Sequence, residues 1–264
     1  MNCTVTASAD ISLHLAWFTA YAAAKTALEQ GDASPMDLKL RHSLEVLENA
    51  RHTVEGEGFD PQTARACLLA ALYHDVGRFE QYLRYHTFRD RESCNHGQMG
   101  VRVLKAERRL VSETPQMRKL VMAAVGMHNR FALPKGTPEN IALVTNVVRD
   151  ADKLDILRVM DEHLSGPAPY NPTVVLQQPD DPTIASEAVL NAVREKRVAA
   201  YADLRCVNDF RLLLGTWFFD LHFVSSRRKF LEDGHAQNLL RRMPDTVPQA
   251  EARDCLLHIL EDAQ

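Results

Sequence analysis

The 264-residue chain has little cysteine and none of the patterns that cysteine chemistry needs. Its five cysteines are scattered, and none stands in a C-x-x-C pair. This excludes a zinc ribbon and a thioredoxin-type redox centre, and the odd number argues against a disulfide framework. We expect reduced cysteines that pack as small apolar side chains, as in cytosolic proteins. They are Cys3, Cys67, Cys94, Cys206 and Cys255.

Long hydrophobic runs and an excess of positive charge are also missing. The most apolar stretch, 212–224, contains Asp220 and His222 and is too short to cross a bilayer. Asp10 and His14 interrupt the only segment that could serve as a signal peptide. The net charge of −4 argues against a large nucleic-acid surface. We therefore expect a cytoplasmic protein that binds neither membranes nor extended nucleic acid, and leave homo-oligomerisation open.

Five pairs of a capping residue followed by proline predict the starts of helices. Proline is favoured at the first helical position, and the apolar residues after each pair recur at helical spacing. The pairs are Ser34-Pro35, Asp60-Pro61, Thr114-Pro115, Thr137-Pro138 and Asp181-Pro182. The best strand candidate, 173–176, is short. The sequence therefore predicts an all-α fold.

A proline-rich segment divides the chain. Five of the twelve prolines lie between Gly166 and Thr183, too many for a helix. We expect a metal-binding helical core over 1–165, a linker or loop over 166–183, and a C-terminal helical extension over 184–264 that packs on the core. The helical patterns of the extension cover about 184–201, 205–233 and 247–262.

Histidine, in contrast, is plentiful, with 11 in the chain. His74-Asp75 ends the helix that begins at Pro61, and His128 ends the helix that begins at Pro115. The side chains of neighbouring helical residues point about 100° apart, so a His-Asp pair can coordinate one ion from two directions. Several helices each offer one or two ligands, as in metal sites built inside helical bundles. The candidate ligands are His42, His74, Asp75, His96, His128 and Asp152.

The types of ligand limit which metal ions can bind and which reactions they can support. Imidazoles and carboxylates without thiolates suit iron, manganese, cobalt, nickel or zinc. Six ligands suit two ions that share a carboxylate, and such a pair can generate a hydroxide and stabilise a displacement at phosphorus. Any one of these histidines alone would more often be structural, so their order and context carry the prediction. The histidines without a motif are interpreted as structural: His14, His52, His163, His222, His235 and His258.

The segments around these candidates resemble the HD-domain superfamily of metal-dependent phosphohydrolases. They are RHSLEV at His42, ALYHDVGRFEQ at His74-Asp75, NHGQMG at His96, VGMHNR at His128 and RDADKLD at Asp152. Their order is similar to that of the dinuclear branch of the superfamily, and the resemblance covers about 36–165. It implies an all-α helical bundle, here with additional C-terminal helices, and hydrolysis of a phosphate ester or anhydride.

The resemblance also implies roles for these residues. One ion would be held by His42, His74, Asp75 and Asp152, and the second by His96, His128 and the bridging Asp75. Arg78 stands where the superfamily often has a lysine directed at the substrate, and its planar fork suits phosphate. Because Asn129 follows His128, the tandem-histidine form of some cyclic-dinucleotide phosphodiesterases is absent, which disfavours that substrate.

Four residues are candidates for substrate binding: Arg78, Asn129, Arg130 and Lys153. Arg78 could instead form a structural ion pair, Asn129 could cap its helix, and Lys153 could be a surface lysine.

Further alternatives concern the neighbours of the ligands. Asp150 could replace Asp152 as a ligand, although Asp152 fits the family pattern better. Asp155 shares a helical face with Asp152 and could orient a ligand. The segment around His86 could cover the site or be an ordinary exposed loop.

Together these observations predict a phosphohydrolase with Asp75 and Arg78 as catalytic residues. It would act on a nucleotide or another small phosphorylated metabolite through a metal-activated hydroxide. Two alternatives stay open. One is an oxygenase, because some HD-fold proteins resemble this ligand set but use a mixed-valent di-iron centre to activate oxygen. The other is a nonenzymatic nucleotide-binding regulatory module, against which the intact ligand set argues.

Overall fold

The computed structural model describes residues 10–170, 174–175 and 177–263. Within these ranges the chain forms helices and no strand, which confirms the all-α fold. The helices are α1 Ser12–Thr26, α2 Ser34–Gly56, α3 Pro61–Tyr73, α4 Val76–Tyr85, α5 His96–Ala106, α6 Pro115–Met127, α7 Glu139–Leu164, α8 Glu187–Arg194, α9 Val207–Thr216, α10 Val224–Asp233, α11 His235–Arg241 and α12 Ala250–Asp262. Short 3₁₀ turns cover Asp90–Glu92, Tyr201–Asp203 and Trp217–Asp220.

Two of the predicted cap-proline pairs begin helices as expected. The Asp60 carboxylate accepts hydrogen bonds from the backbone N–H groups of Gln62 and Thr63 at 2.9 and 3.1 Å and so caps α3. The Thr114 hydroxyl accepts from the N–H of Met117 at 3.2 Å and caps α6. These bonds satisfy donors that the first turn of a helix leaves free.

The predicted pair Asp181-Pro182 does not begin a helix. Asp181 instead accepts hydrogen bonds from the backbone and hydroxyl of Thr183, and α8 starts only at Glu187. The prediction of one long helix over 205–233 is also wrong, because a 3₁₀ turn and an extended stretch separate α9 from α10. Gly234, with φ near 70°, ends α10 in the left-handed conformation that glycine adopts most easily.

The chain divides into two compact units, the first ending at Asp152 and the second beginning at Lys153, both within α7. The described residues of 166–183 contain no helix. The division into a core over 1–165, a linker and an extension that packs on the core stays a prediction. The strand candidate 173–176 lies partly outside the described residues, and its described members, Val174 and Val175, are in a turn.

In the first unit, α2 to α6 pack around an apolar core. Leu47, Leu69, Leu72 and Phe79 are all buried at its centre. Helices α4 and α5 approach closely at Gly77, since a Cβ there would lie 2.4 Å from the carbonyl oxygen of His96. This approach places the first residue of α5 beside the link between α3 and α4.

In the second unit, α8, α9, α11 and α12 pack around a core centred on α9. Arg211 of α9 is buried there, and its guanidinium donates to the carbonyls of Leu239 and Leu164 and to the hydroxyl of Tyr170. These bonds replace the water that a buried charge would otherwise need.

Among the described helices none is both long and apolar enough to cross a membrane. The four described cysteines are free, with Cys67 and Cys206 buried. Cys3 lies outside the described residues.

Candidate metal centre

The ends of helices supply most of the candidate ligands. His74 and Asp75 form the link between α3 and α4, His128 follows the last residue of α6, and His96 is the first residue of α5. A side chain at a helix end projects beyond the helical backbone, so several helices can meet at one point. The remaining two candidates lie within helices, His42 in α2 and Asp152 in α7.

One group of side-chain atoms surrounds His42. Its Nε2 atom lies 3.1 Å from Asp152 Oδ1 and 3.3 Å from His74 Nε2. Asp75 Oδ2 lies 3.7 Å from His42 Nε2 and 3.6 Å from His74 Nε2. The atoms of His42, His74 and Asp152 are close enough together to bind one ion. The structure therefore brings together all four residues expected at the first ion.

A second group surrounds His128. Its Nε2 atom lies 3.1 Å from His96 Nε2 and 3.8 Å from Asp75 Oδ1, and His96 Nε2 lies 3.5 Å from the same oxygen. His74, Asp75 and His128 also lie close enough together to bind an ion. The two oxygens of Asp75 thus face different groups, Oδ2 towards His42 and Oδ1 towards His96 and His128.

Hydrogen bonds fix the orientation of three imidazoles. His74 Nδ1 donates to the carbonyl of Ala71 at 2.7 Å, and His128 Nδ1 donates to the carbonyl of Val125 at 2.9 Å. His96 Nδ1 lies 2.8 Å from each carboxylate oxygen of Asp90. Because these oxygens accept hydrogen bonds, the Nδ1 atoms carry the protons and each neutral ring keeps a lone pair on Nε2.

The Nε2 lone pairs of His96 and His128 therefore meet at a distance of 3.1 Å. Two nitrogens that bind one ion at about 2.1 Å lie about 3.0–3.4 Å apart, close to the separations within both groups. Unprotonated nitrogens at this distance repel unless a cation lies between them. The donor set fits divalent metal ions for this reason, and it contains only nitrogen and oxygen atoms.

The pKa values favour the same forms. Burial lowers the pKa of both His96 and His128 to about 4, with Arg78 adding to the effect at His96 and His74 at His128. Although burial opposes it, Lys39, His74 and Arg78 hold the pKa of Asp75 well below its usual range. Neutral imidazoles and an ionised carboxylate are the forms that bind metal.

Lys39 is a functional candidate that the sequence analysis missed. Its Nζ atom lies 2.8 Å from Asp75 Oδ2 and 5.7 Å from the centroid of the Phe88 ring. It precedes His42 by three residues on α2, so both side chains lie on the same face of the helix. That spacing was visible in the sequence, but nothing there distinguished Lys39 from an exposed lysine.

Arg78 also lies beside Asp75 and is held by several acceptors. Its Nε lies 3.3 Å from Asp75 Oδ1, and its Nη1 donates to the Gln81 side chain, the Phe88 carbonyl and Asp90 at 2.8, 2.5 and 3.2 Å. The structure therefore supports the ion-pair alternative for Arg78, while its position beside Asp75 is the one expected of a substrate contact.

The segment between α4 and α5 lies against the site. Phe88 contacts Lys39 and Arg78 through its ring, and Asp90 contacts His96. His86, on which the sequence analysis centred this segment, is largely exposed and lies 3.5 Å from Glu29. Burial would raise the pKa of Asp90, but His96, Arg78 and Gln81 hold it at about 2.

The other predicted substrate contacts differ in their surroundings. Asn129 Nδ2 donates to Asp90 Oδ2 at 3.1 Å, whereas Arg130 is exposed. The ammonium of Lys153 pairs with Asp220.

The two aspartates that were alternatives near Asp152, as a ligand or as a residue that orients one, are buried. Asp150 is fully buried, and the Asp155 carboxylate accepts a hydrogen bond from Arg158 Nε at 2.7 Å.

Two histidines interpreted as structural have polar partners outside the site. His14 contacts the Tyr73 hydroxyl and Glu113, and His235 contacts Asp161.

Comparison with protein families gives one match. Residues 40–157 match the HD domain, a range that contains all six candidate ligands. No curated protein and no solved structure matches the chain significantly.

Proposed function

We propose that this protein is a phosphohydrolase with two metal ions, because residues 40–157 match the HD domain, which is generally found in metal-dependent hydrolases. One observation carries the proposal. The two carboxylate oxygens of Asp75 face separate groups of imidazoles, with Oδ2 3.6 Å from His74 Nε2 and Oδ1 3.5 Å from His96 Nε2. A carboxylate shared by two ions needs this division.

We assign the ligands as the resemblance to HD domains implies, and the short distances around His42 and His128 support this assignment. The first ion would be held by His42, His74, Asp75 and Asp152, and the second by Asp75, His96 and His128. The ions, when bound, would activate water and offset negative charge at phosphorus. The nitrogen and oxygen donors are compatible with iron, manganese, cobalt, nickel or zinc.

Lys39 and Arg78 would bind and orient the substrate. Both place positive charge beside Asp75, in a chain whose net charge is −4. The hydrogen bonds of Arg78 use Nε and Nη1, which leaves Nη2 to donate to a phosphate oxygen. A local pair of cations suits a nucleotide or another small phosphorylated metabolite better than a long polyanion. The free cysteines support a reducing, cytoplasmic setting for this reaction.

Asn129, Arg130 and Lys153 have weaker support as substrate contacts. Asn129 lies next to a ligand, and its Oδ1 atom is buried without a hydrogen-bond partner in the structure. Arg130 is exposed and free to reach a bound molecule. Lys153 would first have to leave Asp220.

The test combines elemental analysis of the purified protein with a screen for phosphate release from nucleotides and sugar phosphates. We expect close to two transition-metal ions in each chain and metal-dependent release. Asp75→Ala should lose metal and activity together while keeping its helical circular dichroism. Glu48→Ala, which removes an exposed carboxylate on α2, is the matched control and should behave as wild type.

Equal turnover in metal-free Asp75→Ala protein would contradict the proposal. Oxygen consumption with bound iron and no phosphate release would also contradict it, in favour of the oxygenase alternative. Nucleotide binding without turnover would point to a regulatory module.

A further inference from the structure

Asp90 contacts a candidate ligand through both of its carboxylate oxygens. It begins the 3₁₀ turn Asp90–Glu92 between α4 and α5. Its Oδ1 and Oδ2 atoms each lie 2.8 Å from His96 Nδ1, and Oδ2 lies 3.4 Å from the backbone nitrogen of the same histidine. Asp90 therefore contacts both the ring and the backbone of His96.

Three further side chains hold this carboxylate in place. Arg78 Nη1 donates to Oδ1 at 3.2 Å and Gln81 Nε2 donates to the same oxygen at 3.0 Å, both from α4. Asn129 Nδ2, just beyond α6, donates to Oδ2 at 3.1 Å. Gln81 is itself fully buried. The carboxylate is thus held by α4 and by the turn that follows α6, so it can fix the ring that it contacts.

His96 differs from the other two candidate ligand histidines whose Nδ1 partner is described. His74 and His128 donate to backbone carbonyls of the helices that they follow, at Ala71 and Val125. No side-chain substitution removes those acceptors. His96 donates to a side chain of the 3₁₀ turn between α4 and α5, so this acceptor can be removed by a substitution outside the α-helices.

We propose that Asp90 is a positioning residue that orients His96 for the second metal ion. By accepting from Nδ1–H it leaves the Nε2 lone pair directed into the site, 3.1 Å from His128 Nε2 and 3.5 Å from Asp75 Oδ1. Partners of this kind raise the affinity of a histidine for metal by holding its ring and its tautomer. The inference rests on the proposed dinuclear centre. It adds that the second ion, and not the first, depends on the segment between α4 and α5.

The test is a titration of metal-free protein with Mn²⁺, with binding measured by calorimetry or equilibrium dialysis. Asp90→Ala should weaken binding of one ion by about 10–100-fold and leave the affinity for the other unchanged. Asp90→Asn should show a smaller loss, because the amide oxygen still accepts from Nδ1–H but lacks the charge. Glu92→Ala, which removes an exposed carboxylate two residues away, is the matched control and should bind both ions as wild type.

A double-mutant comparison separates positioning from direct ligation. If Asp90 acts through His96, Asp90→Ala should cause no further loss of affinity in the His96→Ala background. A further loss of about 10-fold or more in the double variant would overturn the inference.

The remaining outcomes are also decisive. Wild-type affinity for both ions in Asp90→Ala would overturn the inference and leave the dinuclear centre standing. An equal loss of both ions, with a lower melting temperature, would show a merely structural role and overturn it as well. Wild-type protein that binds fewer than two ions would refute the proposed centre itself, and the role of Asp90 with it.

Discussion

Replacing Gly77 by alanine should damage the fold and the site together. A Cβ at this position would lie 2.4 Å from the carbonyl oxygen of His96, 2.5 Å from the backbone nitrogen of Gly100 and 3.0 Å from its Cα. All three are backbone atoms of α5, so no side-chain rotation can relieve the overlap. Ordinary contact begins near 3.4 Å, and α5 would have to move away from α4 by about 1 Å.

The expected loss of stability follows from two opposing effects. Overpacking a buried contact costs about 1–3 kcal/mol, and a rigid backbone neighbour places Gly77→Ala at the upper end. Alanine in a helix regains about 1 kcal/mol relative to glycine. We therefore expect a net loss of about 2 kcal/mol in the free energy of unfolding. The shift of α5 would also carry His96 away from His128 and Asp75, so affinity for the second ion should fall.

Urea denaturation and Mn²⁺ titration measure the two effects. Gly126→Ala is the matched control, because its Cβ would meet only a Val101 side-chain atom at 3.3 Å. We expect this control to change stability little or to raise it by up to about 1 kcal/mol. If Gly77→Ala unfolds within about 0.5 kcal/mol of wild type and binds both ions equally well, the close approach of α4 and α5 does not set the position of His96.

Two further predictions concern protonation and substrate charge. In the metal-free protein the pKa of His96 and His128 is about 4, below the ordinary 6.5, so the unfolded chain binds protons that the folded chain does not. Stability in urea should be full above pH 6.5 and fall as the pH drops towards 4, by about 1 kcal/mol per pH unit for each histidine; a rise would contradict the burial argument. Lys39→Met should lower kcat/KM for phosphorylated substrates by about 10–100-fold, mainly through KM, and weaken inhibition by inorganic phosphate in parallel. Unchanged phosphate inhibition would exclude Lys39 from substrate binding.

Much of the first unit could be predicted because local rules decide it. Asp60 and Thr114 cap the helices that their sequence context predicts, and the HD match over 40–157 agrees with the motifs at His42 and His74. The second unit was harder. The hydrophobic pattern over 205–233 is continuous, but the chain changes from α-helix to the 3₁₀ turn Trp217–Asp220 and is extended over 221–223 before α10 begins.

The residues that the sequence did not reveal are those that act through long-range contacts. Lys39 becomes notable only because Asp75, 36 residues later, lies 2.8 Å from its ammonium. Asp90 resembles any loop aspartate until Arg78, Gln81 and Asn129 converge on it. Ligands can be recognised from the kind of residue and its spacing, whereas their supporting partners depend on how the helices pack.

The packing also implies that the candidate histidine ligands have different structural supports. The Nδ1 protons of His74 and His128 are held by backbone carbonyls, so those two rings should keep their orientation as long as α3 and α6 stay folded. His96 depends on the close approach at Gly77 and on the carboxylate of Asp90. In the proposed assignment, Asp75 alone binds both ions. Changes near α5 should therefore remove one ion and spare the other, and only a change at Asp75 should weaken both directly.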